Sequence, residues 1–189
     1  MKRKLLNAFV VLGTLVVGVG TLPLPDAQPI GVAQSANQFQ AFVLPYDFSI
    51  LYPPGWFVNE GASRDAVVIT SYRPGLRGVG RPTAAELARA VKTDVMIKPG
   101  SFGTVVNQAL LSSRLGGSKL IKQGRLTIDG RPALRMWSTF KDDPFPNAIT
   151  TIIRYSPQET AVITSYYNAK NIKAVALIRN IHWSFRVRQ

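Results

Sequence analysis

Short runs of β-favouring residues, bounded by Pro, Gly and Asp, recur along this chain, and two stretches replace that pattern with apolar positions at helical spacing. Residues 39–44 and 48–52 read as strands separated by Pro45, Tyr46 and Asp47. Pro53, Pro54 and Gly55 must end the second, because proline fixes φ and lacks the amide a ladder needs, while glycine permits the turn. A third strand is expected over 65–72 around Val67, Val68 and Ile69. Val91, Thr93, Val95 and Ile97 alternate until Pro99 and Gly100, which predicts a strand. Runs 120–128 and 132–140 flank Asp129, Gly130 and Arg131, and an Asp-Gly pair in that position predicts a hairpin. Runs 148–155 and 160–167 flank residues 156–159 and predict a second one.

Val105, Val106, Ala109, Leu110 and Leu115 repeat near 3.6, so 102–115 is expected to be a helix closed by Gly116 and Gly117. Ile172, Val175, Ala176, Ile178 and Ile181 predict a closing helix with Asn171 as its cap. Residues 73–90 interrupt the pattern with a loop composition that includes Arg73, Arg77 and Arg81. Thr83 and Glu86 then form a capping-box pattern, with Leu87 and Val91 expected on one face of a short helix. Hairpins require antiparallel pairing and the helices need sheet faces to cover. The expected fold is therefore α+β, an α/β/α sandwich with a central antiparallel sheet.

The length of 189 residues favours one domain. A net charge of +13 and a pI near 10.5 predict attraction to acidic proteins, anionic lipid or nucleic acid. Cysteine is absent, which excludes disulfides, thiol chemistry and lipid attachment through a thiol. Lys2, Arg3 and Lys4 precede an apolar run over 5–24, and Gly31, Val32 and Ala33 offer a cleavage site. That order reads as a signal peptide over 1–33, a linker over 34–38 and a folded domain over 39–189. An uncleaved membrane anchor is the alternative reading. Either one puts the domain across a membrane and removes nucleic acid from the expected partners.

No motif requires a cofactor. His182 is the single histidine, and without a positioned nucleophile or carboxylate it reads as structural. Asp142 and Asp143 supply two oxygens to a hard cation, far short of a calcium site, and read as a solvated loop. Ser112, Ser113, Ser165, Tyr166 and Tyr167 carry hydroxyls with no base in a recognisable motif. Gly75, Gly78 and Gly80 lack the strand-to-helix context and lysine of a phosphate loop. The expectation is a protein that is not an enzyme. Arg64, Arg73, Arg77, Arg81 and Arg89 are the candidate partner-binding residues, because an arginine fork suits carboxylate and phosphate. The plainer reading is an exposed basic face that serves solubility.

Tyr46, Phe48, Tyr52, Pro53, Gly55 and Trp56 together resemble the opening F-x-Y-P-x-G-W of the PsbP family, the extrinsic lumenal proteins of photosystem II and their relatives. Val67 to Ile69, the run from Thr93 to Ile97, the run from Leu126 to Arg131 and the ending Ser184, Phe185, Arg186, Val187 follow in the family's order. The resemblance covers about residues 42–187. It implies a sandwich around an antiparallel sheet, a thylakoid-lumenal or periplasmic location, and binding to photosystem II subunits or another thylakoid membrane complex during assembly, stability or repair. An anionic lipid surface is a further expected partner. The chain departs from the family in lacking a lipid-bearing cysteine, in the long 73–90 segment, and in the histidine and carboxylate positions proposed for calcium or manganese in plant members. Those departures leave a second expectation open, an exported binding module of the same fold with a small-molecule or protein ligand.

Overall fold

Asp129 and Gly130 both take positive φ, 51° and 70°, the combination a two-residue hairpin turn of matching twist requires. In the computed structural model this turn joins the two longest strands of a seven-stranded antiparallel sheet. The structure describes residues 39–45, 47–60, 66–75, 82–115, 117–141 and 143–188. The predicted signal peptide and linker, Tyr46, Arg64, Arg77 and Arg81 lie outside the described residues.

The elements are β1 (Gln40–Leu44), β2 (Phe48–Tyr52), β3 (Phe57–Glu60), β4 (Ala66–Thr70), α1 (Ala84–Leu87), β5 (Val91–Pro99), α2 (Phe102–Leu115), β6 (Ser118–Ile128), β7 (Arg131–Phe140), β8 (Asn147–Arg154), β9 (Glu159–Tyr167), α3 (Ala174–Trp183) and β10 (Arg186–Val187). The large sheet runs β3-β4-β5-β9-β8-β7-β6, and a small one runs β1-β2-β10. Alternation assigns the two faces of the large sheet. Leu134, Met136 and Ile152 pack under Val105, with Val106, Ala109 and Leu110 of α2 around them. On the opposite face Val67, Ile69, Val95, Ile153, Ala161 and Ile163 meet Phe48 and Ile50 of the small sheet and Ile181 and Phe185 at the end of α3. The α+β layering expected from the sequence is present, and on this second face a three-stranded sheet shares the layer with the helix.

Several expectations need correction. Val91 belongs to β5 and not to the face of a short helix; α1 ends at Leu87, although its Thr83/Glu86 capping box forms as expected. Ile172 is 88% exposed and precedes α3, and Ala176 is exposed within it. Ala174, Ile178, Ile181 and His182 form the buried stripe instead. Asn171 does not cap the helix, because its amide donates to the Arg89 carbonyl at 2.6 Å. Strand β3 was not foreseen: it has four residues and starts directly after the turn.

That turn places Trp56. Gly55 has φ 77°, and the Trp56 N–H donates to the Pro53 carbonyl at 3.4 Å, closing a turn with Pro54 and Gly55 at its centre. A tryptophan following such a turn is by type a core residue whose indole N–H seeks a backbone acceptor. Trp56 is half-buried, touches two of the apolar clusters, and among the described residues its indole N–H meets no backbone acceptor. Its value lies in bridging those clusters. Trp56→Ala should therefore cost about 2–3 kcal/mol, below the range of a fully enclosed tryptophan; the midpoint and slope of urea unfolding measure it, and an unchanged midpoint would contradict the bridging role.

Candidate functional site

Two polar assemblies stand out, one inside the domain and one on its surface. Arg135, Thr151, His182, Ser165 and Thr93 are each at 0% exposure. Register explains how they meet. Arg135 lies opposite Thr151 across β7 and β8, and Ser165 lies opposite Thr93 across β9 and β5, all on the face that α3 covers. His182, on the last turn of α3, drops between them.

The bonds form one continuous chain. Arg135 Nε donates to Thr151 Oγ1 at 3.0 Å, and Thr151 lies 2.8 Å from His182 Nδ1. His182 Nε2 is 2.9 Å from Ser165 Oγ, which is 2.6 Å from Thr93 Oγ1. In the neutral ring one nitrogen donates and the other accepts, and the hydroxyls of Thr151 and Ser165 can each take either complementary role. The imidazole is neutral, with both nitrogens used. Burial, and secondly the Arg135 charge, hold its pKa well below the ordinary histidine value. The Trp183 ring lies over the Arg135 guanidinium, 5.3 Å from ring centroid to Cζ.

Sequence reasoning found no partner for the serine hydroxyls, and here Ser165 Oγ lies 2.9 Å from His182 Nε2. The pair does not form a nucleophile with its base in the usual sense. A hydroxyl and not a carboxylate orients His182, a guanidinium sits beside it, and no part of the pair reaches solvent. Its role is to fix α3 on the sheet.

On the surface, the β4–β5 connection carries two described candidate arginines, Arg73 and Arg89. Ser71 N–H donates to the Val91 carbonyl at 3.0 Å, and Val91 N–H donates to Ser71 Oγ at 2.8 Å. These bonds pin the base of the connection. Arg73 and Arg89 follow two residues out on either side, in the register that pairs Thr70 with Lys92, and both are exposed. The structure thus brings those two arginines to one place. The bond from Asn171 to the Arg89 carbonyl adds the turn before α3, with Lys170 and Lys173 exposed on it. Sequence reasoning missed these lysines because eighty residues of chain separate them from Arg89 and no spacing rule links them. Two carboxylates lie nearby. Glu86 accepts from the Thr83 backbone at 2.7 Å, which together with the Thr83 hydroxyl lowers its pKa, and Asp94 pairs with Lys92 at 3.0 Å.

Asp143 accepts from the Phe145 N–H at 2.7 Å, a turn-stabilising use of its carboxylate, and Asp142 lies outside the described residues. Among the described residues no three His, Cys, Asp or Glu side chains converge on a point, and no helix is long and apolar enough to cross a membrane.

The fold is similar to that of cyanobacterial PsbP (CyanoP) from Synechocystis sp. PCC 6803, with a TM-score of 0.52 at 16% identity, over 87% of this chain and 99% of that one. It is also similar to LpqN, which is involved in cell envelope biogenesis of Mycobacterium tuberculosis, with a TM-score of 0.51 at 10% identity, over 75% of this chain and 83% of that one. These likenesses show a PsbP-like α+β fold. Comparisons with protein-family models and with curated proteins found no match.

The internal chain predicts a pH dependence. An unfolded histidine titrates near 6.5, whereas His182 in the folded domain takes a proton only well below that. Below about pH 6.5 the unfolded state therefore binds the extra proton, so stability is full above that pH and falls as pH decreases towards the lowered folded value, by up to roughly 1 kcal/mol per pH unit. Between pH 7.5 and 5.5 the wild type should lose roughly 1 kcal/mol more than His182→Gln, which keeps a donor and an acceptor but does not titrate. Urea unfolding at the two pH values measures the difference; parallel losses would show that His182 is not the titrating group.

Proposed function

We propose that this chain is a non-enzymatic exported accessory protein whose basic surface at the base of the β4–β5 connection docks on an acidic face of a thylakoid membrane complex, photosystem II foremost. The observation that carries the reading is that exposed Arg73 and Arg89 leave one hydrogen-bonded base, to which the Asn171 bond ties the turn bearing exposed Lys170 and Lys173, against the two nearby carboxylates of Glu86 and Asp94. A surface on which cations outnumber carboxylates steers association with an acidic partner. Similarity to CyanoP across nearly that protein's whole length supports the setting, and export agrees with the basic and apolar order of residues 1–33. Assembly, stability and repair of the complex are the roles such a docking protein serves in the lumen or periplasm.

A second reading, an envelope binding module, is favoured by one feature. A cleft of about 470 Å³ opens between the start of α2 and the β6–β7 hairpin, lined by Phe102, Val106, Leu126 and Leu134, with Arg125 beside them. Its size and apolar lining suit a small apolar ligand.

Tagged full-length protein recovered from solubilised thylakoids decides between them. Photosystem II or another thylakoid complex should copurify, and Arg73→Gln, Arg89→Gln, Lys170→Gln and Lys173→Gln together should reduce recovery by about tenfold at low salt. Recovery with periplasmic proteins alone would sink the first reading.

A further inference from the structure

The cleft between the start of α2 and the β6–β7 hairpin has a charged border as well as an apolar floor. Register assigns its side chains to the helix face of the large sheet. Leu134 packs under Val105 of α2, which fixes that side. Arg125 lies opposite Leu134 and Thr127 opposite Pro132, so all four point to the helix, while Phe102 and Val106 come down from it. Ile152 pairs with Leu134 and belongs to the same cluster, and Arg154, two residues further along β8, therefore projects to the same face. Its guanidinium Cζ is 6.0 Å from the Phe102 ring centroid. Because the strand order is β8-β7-β6, Arg154 and Arg125 stand on either side of Pro132 and Leu134. Both arginines are exposed, and among the described residues neither is ion-paired.

The charge around the cleft is one-sided. Arg154 pairs with Thr160, and Thr160 pairs with Lys98, so a third exposed cation sits in the same row on the same face. The acids at this end of the sheet belong to the other face. Asp129 accepts from the Val187 N–H of β10, and Glu159 shares the side of Ala161, which packs against the small sheet. Asp94 does lie on the helix face, but four residues along β5 from Lys98 and paired with Lys92. An apolar floor alone accepts any apolar molecule; arginines at its border, with the local carboxylates turned away, select a negative one. We infer that the cleft takes an anionic amphiphile, a monocarboxylate with an aliphatic chain. The chain lies along Phe102, Val106, Pro132 and Leu134, and the carboxylate is taken by Arg125 at the mouth, with Arg154 adding its charge from across β7. A volume of about 470 Å³ is within the roughly 300–1,000 Å³ of small-ligand sites. The inference rests on the binding-module reading of this cleft and narrows it to one ligand chemistry; the thylakoid-complex reading does not depend on it.

Thr127 lines the cleft and is exposed, and the cysteine-free chain lets a single thiol be placed there. Full-length protein carrying Thr127→Cys, tagged with a trifluoromethyl group, is titrated with decanoate and with decanol, both below micellar concentration. The fluorine resonance reports binding at that one position, so attachment elsewhere on the chain does not imitate it. Decanoate should bind about tenfold more tightly than decanol at low salt. Arg125→Gln together with Arg154→Gln should bring the decanoate affinity down to about that of decanol. Arg114→Gln together with Lys119→Gln, an equal loss of charge at the far end of α2 and β6, should leave the preference intact. Equal affinities in the starting protein overturn the anionic ligand and leave an apolar one standing, as does a preference that survives the loss of Arg125 and Arg154 or falls as far with the distant pair. A resonance that moves with neither compound removes the cleft as a site, and the binding-module reading with it.

Discussion

The hydrogen-bonded chain from Arg135 through Thr151, His182 and Ser165 to Thr93 is the constraint on which the rest of the domain depends. It joins four adjacent strands, β7, β8, β9 and β5, to one helix. An unpaired polar group at this depth would cost about 1–3 kcal/mol, so α3 is held to the crossing that lets His182 reach both hydroxyls. That crossing puts Ile178 and Ile181 over the sheet and turns Phe185 onto Phe48, with ring centroids 5.4 Å apart. The chain then returns as β10 beside β2, where Asp129 of the hairpin turn accepts from the Val187 N–H at 2.9 Å. The small sheet, the helix and the longest hairpin are thus positioned by one internal polar assembly. A guanidinium in that assembly also explains why its histidine is neutral, since a second positive charge beside Arg135 would be poorly solvated.

Six of the seven described acids do similar structural work. Asp47 receives the Tyr155 hydroxyl, Glu86 completes the α1 capping box, Asp94 pairs with Lys92, Asp129 holds β10, Asp143 caps the Phe145 amide and Glu159 accepts from Ser156. The Asp47 contact, following burial, pushes the Tyr155 phenol above its ordinary pKa. A carboxylate bonded to a neutral amide or hydroxyl keeps its negative charge and still counts against the cations around it. The excess of +13 is the difference between 23 lysines and arginines and 10 acids.

Much of the fold could be read from sequence because local rules coincide with tertiary demands. The Asp129–Gly130 turn, the Thr83/Glu86 box, the span of α2 and the alternation of β5 each have a short-range cause, and each is present. The failures have the opposite origin. Ile172 fits a helical repeat, but Asn171 is drawn to the Arg89 carbonyl and the helix starts later. Trp56 looks like a core residue by type, yet its turn leaves it bridging two clusters at their edge. The candidate site was legible only in part. Arg73 and Arg89 were singled out by composition, while Lys170, Lys173 and the pairing of Ser165 with His182 arise from contacts between distant segments that no periodicity announces.

A fold shared with CyanoP and LpqN at 16% and 10% identity cannot by itself choose a partner, so the choice rests with exposed side chains. Here the sheet register supplies a geometric relation between them. Thr70, Val91, Tyr167, Asn147, Phe140 and Ser118 all lie at one end of the large sheet, because Val91 pairs with Tyr167, Tyr167 with Asn147, and Phe140 with Ser118. The base of the β4–β5 connection and the α2–β6 corner leave from that same end. The other end carries Asp129 and Glu159 among its cations. The first end holds Glu86, Asp94 and Asp143 beside its cations, so its field is the sum of both signs. The base of the β4–β5 connection reaches the surface at this end, while the histidine chain stays enclosed between α3 and the sheet, so docking there as proposed does not require that chain to open.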